Sequence, residues 1–164
     1  MTSDSNKVYD VLNKLNINYS KYEHPPVYTI EEASKYNEDY ECKHAKNLFL
    51  RNKKGNNHYL VIISDYKTAD IKDIAKSLND SRLSFASCER LQKYLGLEPG
   101  AVSPFGLIND KNHEVTVLLD KDLVKSEYVA FHPNVNTATI TLTSKDFIKF
   151  LEWSENDVLY VDID

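Results

Sequence analysis

Residues Pro99–Asp110 read Pro-Gly-Ala-Val-Ser-Pro-Phe-Gly-Leu-Ile-Asn-Asp and hold two of the chain's four glycines and two of its five prolines. Proline removes an amide donor and fixes its own backbone, so the stretch is too stiff for a helix and too broken for a central strand. The spacing predicts a shaped backbone wall around which other elements supply side chains. Gly100 and Gly106 can bring bare main chain close to a ligand, while Pro99 and Pro104 fix the path between them. A rigid connector between two core elements would use the same residues, and the stretch alone leaves both readings open.

A chain of 164 residues is long enough to bury a core without disulfide staples, and it reads as one domain over residues 1–164. Hydrophobic content of 41% with 27% charged residues fits an ordinary globular protein. No apolar run approaches the roughly 20 residues of a membrane helix. The first residues, Met-Thr-Ser-Asp-Ser-Asn-Lys, lack the apolar stretch of a secretion signal. Cys42 and Cys88 make a poor disulfide framework, which points to a reducing, cytoplasmic setting. A net charge of −5 argues against wrapping DNA or other duplexes through bulk electrostatics, but leaves room for local contact with a nucleic-acid end. Lys43, Lys46, Arg51, Lys53 and Lys54 form the one basic cluster, either a solvated hairpin or such a contact.

Ser3–Asn16 spaces Val8, Val11, Leu12 and Leu15 as one face of a helix. Asn18–Glu23 reads as a strand ended by His24-Pro25-Pro26, and Thr29-Ile30-Glu31-Glu32 is a capping box that predicts a short helix fading before Asn37. Ala45–Arg51 and His58–Ser64 are the strongest strands, joined by a turn-rich loop. Lys46, Leu48 and Leu50 then share one face of the first strand, and Asn47, Phe49 and Arg51 the other. Lys46 enters the core region, where its ammonium needs a partner or ligand unless it snorkels to solvent. Helices follow at Ala69–Asn79 and Cys88–Leu95. After the proline–glycine stretch, Ile108–Glu114 reads as a hairpin leading into a strand at Glu114–Leu119. Strands at Glu127–Phe131 and Thr137–Leu142, a helix capped by Thr143-Ser144-Lys145-Asp146 and a short strand at Val158–Val161 complete the order. Helices mixed with consecutive hairpins predict an α+β fold whose mixed, mostly antiparallel sheet curls toward a barrel between flanking helices.

Phe131–Thr139 packs His132, Asn134 and Asn136 between two apolar strands, which sets polar tips at a sheet edge. His132 there is either structural or functional. Cys42 and His44 would share a strand face, yet a nucleophile–base pair also needs a third, orienting group. The five histidines are scattered without metal-ligand spacing, and neither phosphate-loop glycine pattern occurs, so no metal or cofactor is expected.

Four pieces together resemble the prolyl-tRNA editing family, free-standing deacylases related to the editing domain inserted in some bacterial prolyl-tRNA synthetases. They are Glu23-His24-Pro25-Pro26-Val27-Tyr28-Thr29, Ala45–Leu50, Pro99–Gly106 and His132–Thr139, in the family's order and spacing. The resemblance implies hydrolysis of the ester between a wrong amino acid and tRNA, with wording closest to the branch that clears alanine from tRNA(Pro). It implies that Lys46 holds the terminal phosphate or ribose, that Gly100 and Pro104 form a Gly-x-x-x-Pro loop meeting the aminoacyl group, and that His132 shapes the amino-acid pocket. Lys46, Gly100 and His132 are thereby the expected catalytic set; Tyr28, Asn47, Ser103, Pro104 and Asn136 are expected to bind substrate. Arg51, Lys53 and Lys54 would fall near the same end of the sheet and touch the acceptor stem. The implied partners are the tRNA(Pro) acceptor end and prolyl-tRNA synthetase. Alternatives are a deacylase for cysteine or another small amino acid, a non-catalytic tRNA- or synthetase-binding relative, and a thiol hydrolase using Cys42 or Cys88.

Overall fold

The computed structural model describes residues 3–25 and 42–163. The helix expected from Thr29 and the candidate Tyr28 lie outside them. Helix α1 (Ser3–Lys14) buries Val8 and Leu12 along the predicted stripe. It stops where Asn16 turns to φ 57, so that the amides of Asn16 and Ile17 bond back to the carbonyls of Asn13 and Leu12 at 3.1 and 2.9 Å. Strands β1 (Ser20–Glu23), β2 (Cys42–Arg51) and β3 (His58–Ser64) follow, then α2 (Ile71–Ser77), capped by the Asp70 side chain. A two-residue β4 (Ser84–Phe85), too short to leave a pattern in the sequence, precedes α3 (Cys88–Leu95). The rest is β5 (Val115–Asp120), β6 (Tyr128–Phe131), β7 (Ala138–Thr143), α4 (Ser144–Ser154) and β8 (Val158–Val161).

The eight strands make one mixed sheet in the order β1-β7-β6-β2-β3-β5-β8, with β4 also on β2. Antiparallel pairs are β1–β7, β6–β7, β2–β3 and β2–β4; β2–β6, β3–β5 and β5–β8 run parallel. The α+β class and the antiparallel majority are as expected. Among the described residues the sheet stays open, with β1 and β8 as its ends.

Both faces of β3 are buried, because each carries its own core. On one face Leu60 and Ile62 pack with α1, α3 and α4 around Phe105, Phe131, Phe147 and Phe150. The rings of Phe131 and Phe147 lie 4.5 Å apart and those of Phe105 and Phe150 4.9 Å, which locks α4 onto the sheet. On the other face Tyr59, Val61 and Ile63 meet Leu50, Leu118 and the inner side of α2.

Two expectations are corrected around Pro99–Asp110. The stretch is not helix-free: Pro104–Asn109 is a 3-10 helix. Proline is compatible with a first helical position, where its missing amide has no partner to lose, and the Ser103 hydroxyl caps the turn by accepting from the Phe105 amide at 3.1 Å. Gly106 serves this packing rather than a ligand. A Cβ there would stand 2.7 Å from Leu97 Cδ1 and 3.0 Å from Leu95 Cβ. Nor is Ile108–Glu114 a hairpin. The buried Asp110 carboxylate accepts from the amides of Glu114 and Val115 at 3.1 and 2.9 Å, and this turn delivers β5 parallel to β3.

Candidate functional site

Alternation along β2 sorts its side chains as the sequence predicts. Leu48 and Leu50 join the core under α2, while Ala45 and Phe49 join the core under α1, α3 and α4. Lys46 falls on the α2 face, half-buried, and Asn47 on the opposite one. The Lys46 ammonium finds a partner: Nζ donates to the backbone carbonyl of Lys67. That carbonyl is itself anchored. The Lys67 ammonium, on a side chain 6% exposed, sits 3.0 Å from Asp120 Oδ1 and 2.7 Å from Asp122 Oδ2. The second Asp120 oxygen accepts from the Ser64 amide at 3.1 Å, fixing the end of β3. A carbonyl partner holds the Lys46 ammonium in place without cancelling its charge.

The same sheet face carries three histidines. In the parallel β2–β6 ladder His44 pairs with Ala130. Lys46 and His132 each lie two residues further on, so alternation puts both on that face. His132 Nδ1 donates to the Ala138 carbonyl at 2.8 Å. A carbonyl can only accept, so Nδ1 carries the proton and a neutral ring keeps Nε2 as an acceptor. Burial pushes the His132 pKa below the ordinary histidine value against the pull of this bond, and nearby His24 and His44 push the same way. The His24 ring stands edge-on to it at 6.0 Å between centroids. His24 Nδ1 donates to the Pro25 carbonyl at 2.8 Å, and Nε2 bonds the buried Thr139 hydroxyl at 2.9 Å. Burial also lowers the pKa of His44, against the attraction of Asp65.

The structure therefore brings Lys46 and His132 to one face. Gly100 is exposed, at φ 81, in the turn before the 3-10 helix. Ser103 and Pro104 are buried in the start of that helix, where the Ser103 oxygen caps it. Among the described residues no hydrogen bond or ion pair joins this loop to Lys46. Asn136 is half-buried in the β6–β7 connection. Arg51 lies five residues beyond Lys46, roughly 16 Å along an extended strand and on its other face. Lys53 and Lys54 are exposed in the turn beyond it, so the basic loop occupies the far end of β2 from Lys46. Cys88 is exposed on α3, which packs on the opposite core.

Sequence reasoning missed several contributors. His24, just past the end of β1, continues the alternation of Tyr22, a period-two signal legible in the sequence. Lys67 and Asp120 gave none, being 53 residues apart. Asn134, at φ 62 and 5% exposed, leaves both its amide nitrogen and oxygen without a hydrogen bond, and Asn47 Oδ1 is likewise unpartnered. Among the described residues no three His, Cys, Asp or Glu side chains are grouped to hold a metal ion, and no helix is long and apolar enough to cross a membrane.

Comparison with known proteins follows the same lines. The profile of the aminoacyl-tRNA editing domain matches residues 24–150. The prolyl-tRNA editing protein ProX of Acetoanaerobium sticklandii is 48% identical over 145 residues, covering 88% of each chain. The prolyl-tRNA synthetase associated domain-containing protein 1 of Xenopus laevis is 32% identical over 157 residues, covering 93% of each chain. A crystal structure of a candidate trans-editing enzyme for prolyl tRNA synthetase superposes with a TM-score of 0.77 at 21% identity, covering 100% of this chain and 98% of that one, and so shares the fold. The chain belongs to the aminoacyl-tRNA editing family, hydrolases that remove a wrongly attached amino acid from tRNA.

Proposed function

We propose that this protein is a free-standing deacylase whose preferred substrate is alanine wrongly esterified to tRNA(Pro). The supporting observation is the shared face of Lys46 and His132, one a positioned cation and the other a half-buried ring with a fixed proton. Lys46 holds the terminal phosphate or ribose of the tRNA. His132 bounds the space for the amino-acid side chain, with Tyr28 and Asn136 as further substrate contacts. Asn47, on the opposite sheet face, and Ser103 and Pro104, buried at the start of the 3-10 helix, support the site rather than touch the substrate. Gly100, at its positive φ, offers bare backbone to the aminoacyl group.

An aminoacyl ester is already activated, so positioned water and backbone donors suffice to hydrolyse it. The substrate's own ribose hydroxyl orients that water, and Lys46 acts by fixing the ribose and phosphate rather than as a base. The acceptor end of tRNA(Pro) is the partner this chemistry requires. Prolyl-tRNA synthetase is a second partner and the cytoplasm the setting.

Incubation with alanyl-, cysteinyl-, seryl- and prolyl-tRNA, following loss of ester from each, tests the reading. Alanyl-tRNA(Pro) is expected to lose its ester fastest and prolyl-tRNA to persist. Lys46→Ala is expected to lower turnover at least about a hundredfold, on the scale of a lost positioning group. Faster hydrolysis of cysteinyl-tRNA would move the protein to the cysteine branch. Hydrolysis of none would leave a binding relative.

A further inference from the structure

The groove between α2 and β4 sits on the same sheet face as Lys46 and carries an unusual combination of groups. Its floor is Ala75, Leu83 and the ring of Phe85, and its rim is Lys72, Lys76 and Arg82. Among the described residues no acidic side chain lines it. Phe85 is 62% exposed although its backbone pairs with Leu50 in the sheet. Helix α2 is divided by charge to produce this. Lys72 and Lys76, four residues apart, share the groove edge, whereas Asp70 and Asp73 face a separate depression beside Tyr160 and Asp162. In a chain of net charge −5, three cations gathered around one exposed ring form a local surface of opposite sign.

We propose that this groove holds a single-stranded nucleic-acid segment, the unpaired 3′ terminus of tRNA just ahead of its last nucleotide. A base stacks on Phe85, and Lys72, Lys76 and Arg82 meet the flanking phosphates. Flat aromatic surface plus cations is the recurring chemistry for an unpaired strand, since every base offers a π-face and every linkage a charge. Position supports the assignment. Phe85 is in register with Leu50, four residues along β2 from Lys46, a distance of roughly 13 Å on one face of the sheet. A strand with its terminal ribose at Lys46 reaches the groove within a few nucleotides. The site at Lys46 is the one on which the deacylase reading rests, and the groove extends that reading outward.

The test uses the full chain and a fluorescein-labelled single-stranded RNA ending in the tRNA terminus, titrated by anisotropy. Phe85→Ala is expected to weaken binding about tenfold or more, the scale of one lost stacking contact, and Phe85→Trp to restore it. Replacing Lys72 and Lys76 together by Gln is expected to weaken binding and flatten its salt dependence. Hydrolysis of a short aminoacyl-adenosine ester, which cannot reach the groove, is expected to be unchanged in all three variants, while KM for aminoacyl-tRNA rises in the weakened ones. That unchanged short-ester rate also shows that the variants fold. RNA affinity unaltered by Phe85→Ala overturns the proposal, as does an acidic peptide that binds the wild type and competes at the groove while RNA does not. If the wild type hydrolyses no ester yet binds RNA through Phe85, the deacylase reading fails and the groove stands.

Discussion

The His132 Nδ1 proton is committed to the Ala138 carbonyl, which fixes the ring's orientation as well as its tautomer. A ring so held is a wall, and a wall can exclude by size. An apolar pocket distinguishes substrates differing by one methylene by only about 1–3 kcal/mol, so rejection of proline has to come from steric exclusion. His132→Ala is therefore expected to admit prolyl-tRNA and to lower the alanine-to-proline ratio of kcat/KM about tenfold or more. An unchanged ratio removes His132 from selectivity. This much was legible in the sequence, because His132 stands where an apolar strand ends in a polar run. The parity of β2 was legible too, and with it the need of Lys46 for a partner. The partner's identity was not: a backbone carbonyl has no residue type to read, and Lys67 reaches its place only once β3 and β5 lie together. Asn134 was visible as one polar residue among several, and only burial singles out its unpartnered amide.

At the scale of elements, the turn after β3 is held by charge. Lys67 carries two carboxylates, one buried at Asp120 and one half-exposed at Asp122, and its own carbonyl receives Lys46. Removing one member of a buried ion pair costs more than the pair contributed, because the remaining charge stays desolvated. Asp120→Asn is expected to destabilise the protein by about 3 kcal/mol, near the lower end for such pairs because Asp122 remains. The same change frees the Ser64–Lys67 turn, so kcat is expected to fall further than a lysine-to-alanine surface control at Lys121. Urea unfolding and single-turnover deacylation separate the two effects, and a full-rate Asp120→Asn enzyme would sever Lys46 from this support. Local signals predicted the flanking elements well: α3 and β8 have the expected bounds, and Thr143 caps α4 by accepting from the Asp146 amide at 3.1 Å. They failed at Pro99–Asp110, where two prolines suggested a helix-free path. Pro104 sits at a first position, and the close approach of Leu95 and Leu97 explains Gly106. Both facts depend on what packs against the segment.

At the scale of the whole molecule, the parallel β3–β5 and β5–β8 ladders were the least legible feature, because turn residues announce a change of direction and not the neighbour that follows. Strand order also creates a titration coupling at His58. It sets His58 beside α3, its ring 4.0 Å from that of Tyr94 and 5.6 Å from that of Phe49, while Arg90 Nη1 donates to His58 Nε2 at 3.0 Å. Burial first, and then the charges of Arg90, Arg51 and Lys93, push its pKa down to about 4. An unfolded histidine titrates near 6.5, so between about pH 6.5 and 4 the unfolded chain binds a proton that the folded chain refuses. Stability from this group is present above about pH 6.5 and is lost as pH falls toward 4, with a slope of at most about 1.4 kcal/mol per pH unit. His44 and His132, also lowered by burial, add in the same direction. Asp122, held at about 2 by its bonds to Lys67 and Lys125, loses its share only at lower pH, outside this window. His58→Gln keeps an acceptor for Arg90 and cannot titrate. It is expected to flatten the fall of the urea midpoint between pH 6.5 and 4 without abolishing it. An equally steep fall in the variant would assign the acid sensitivity to His44 and His132, on the face where the ester is proposed to bind.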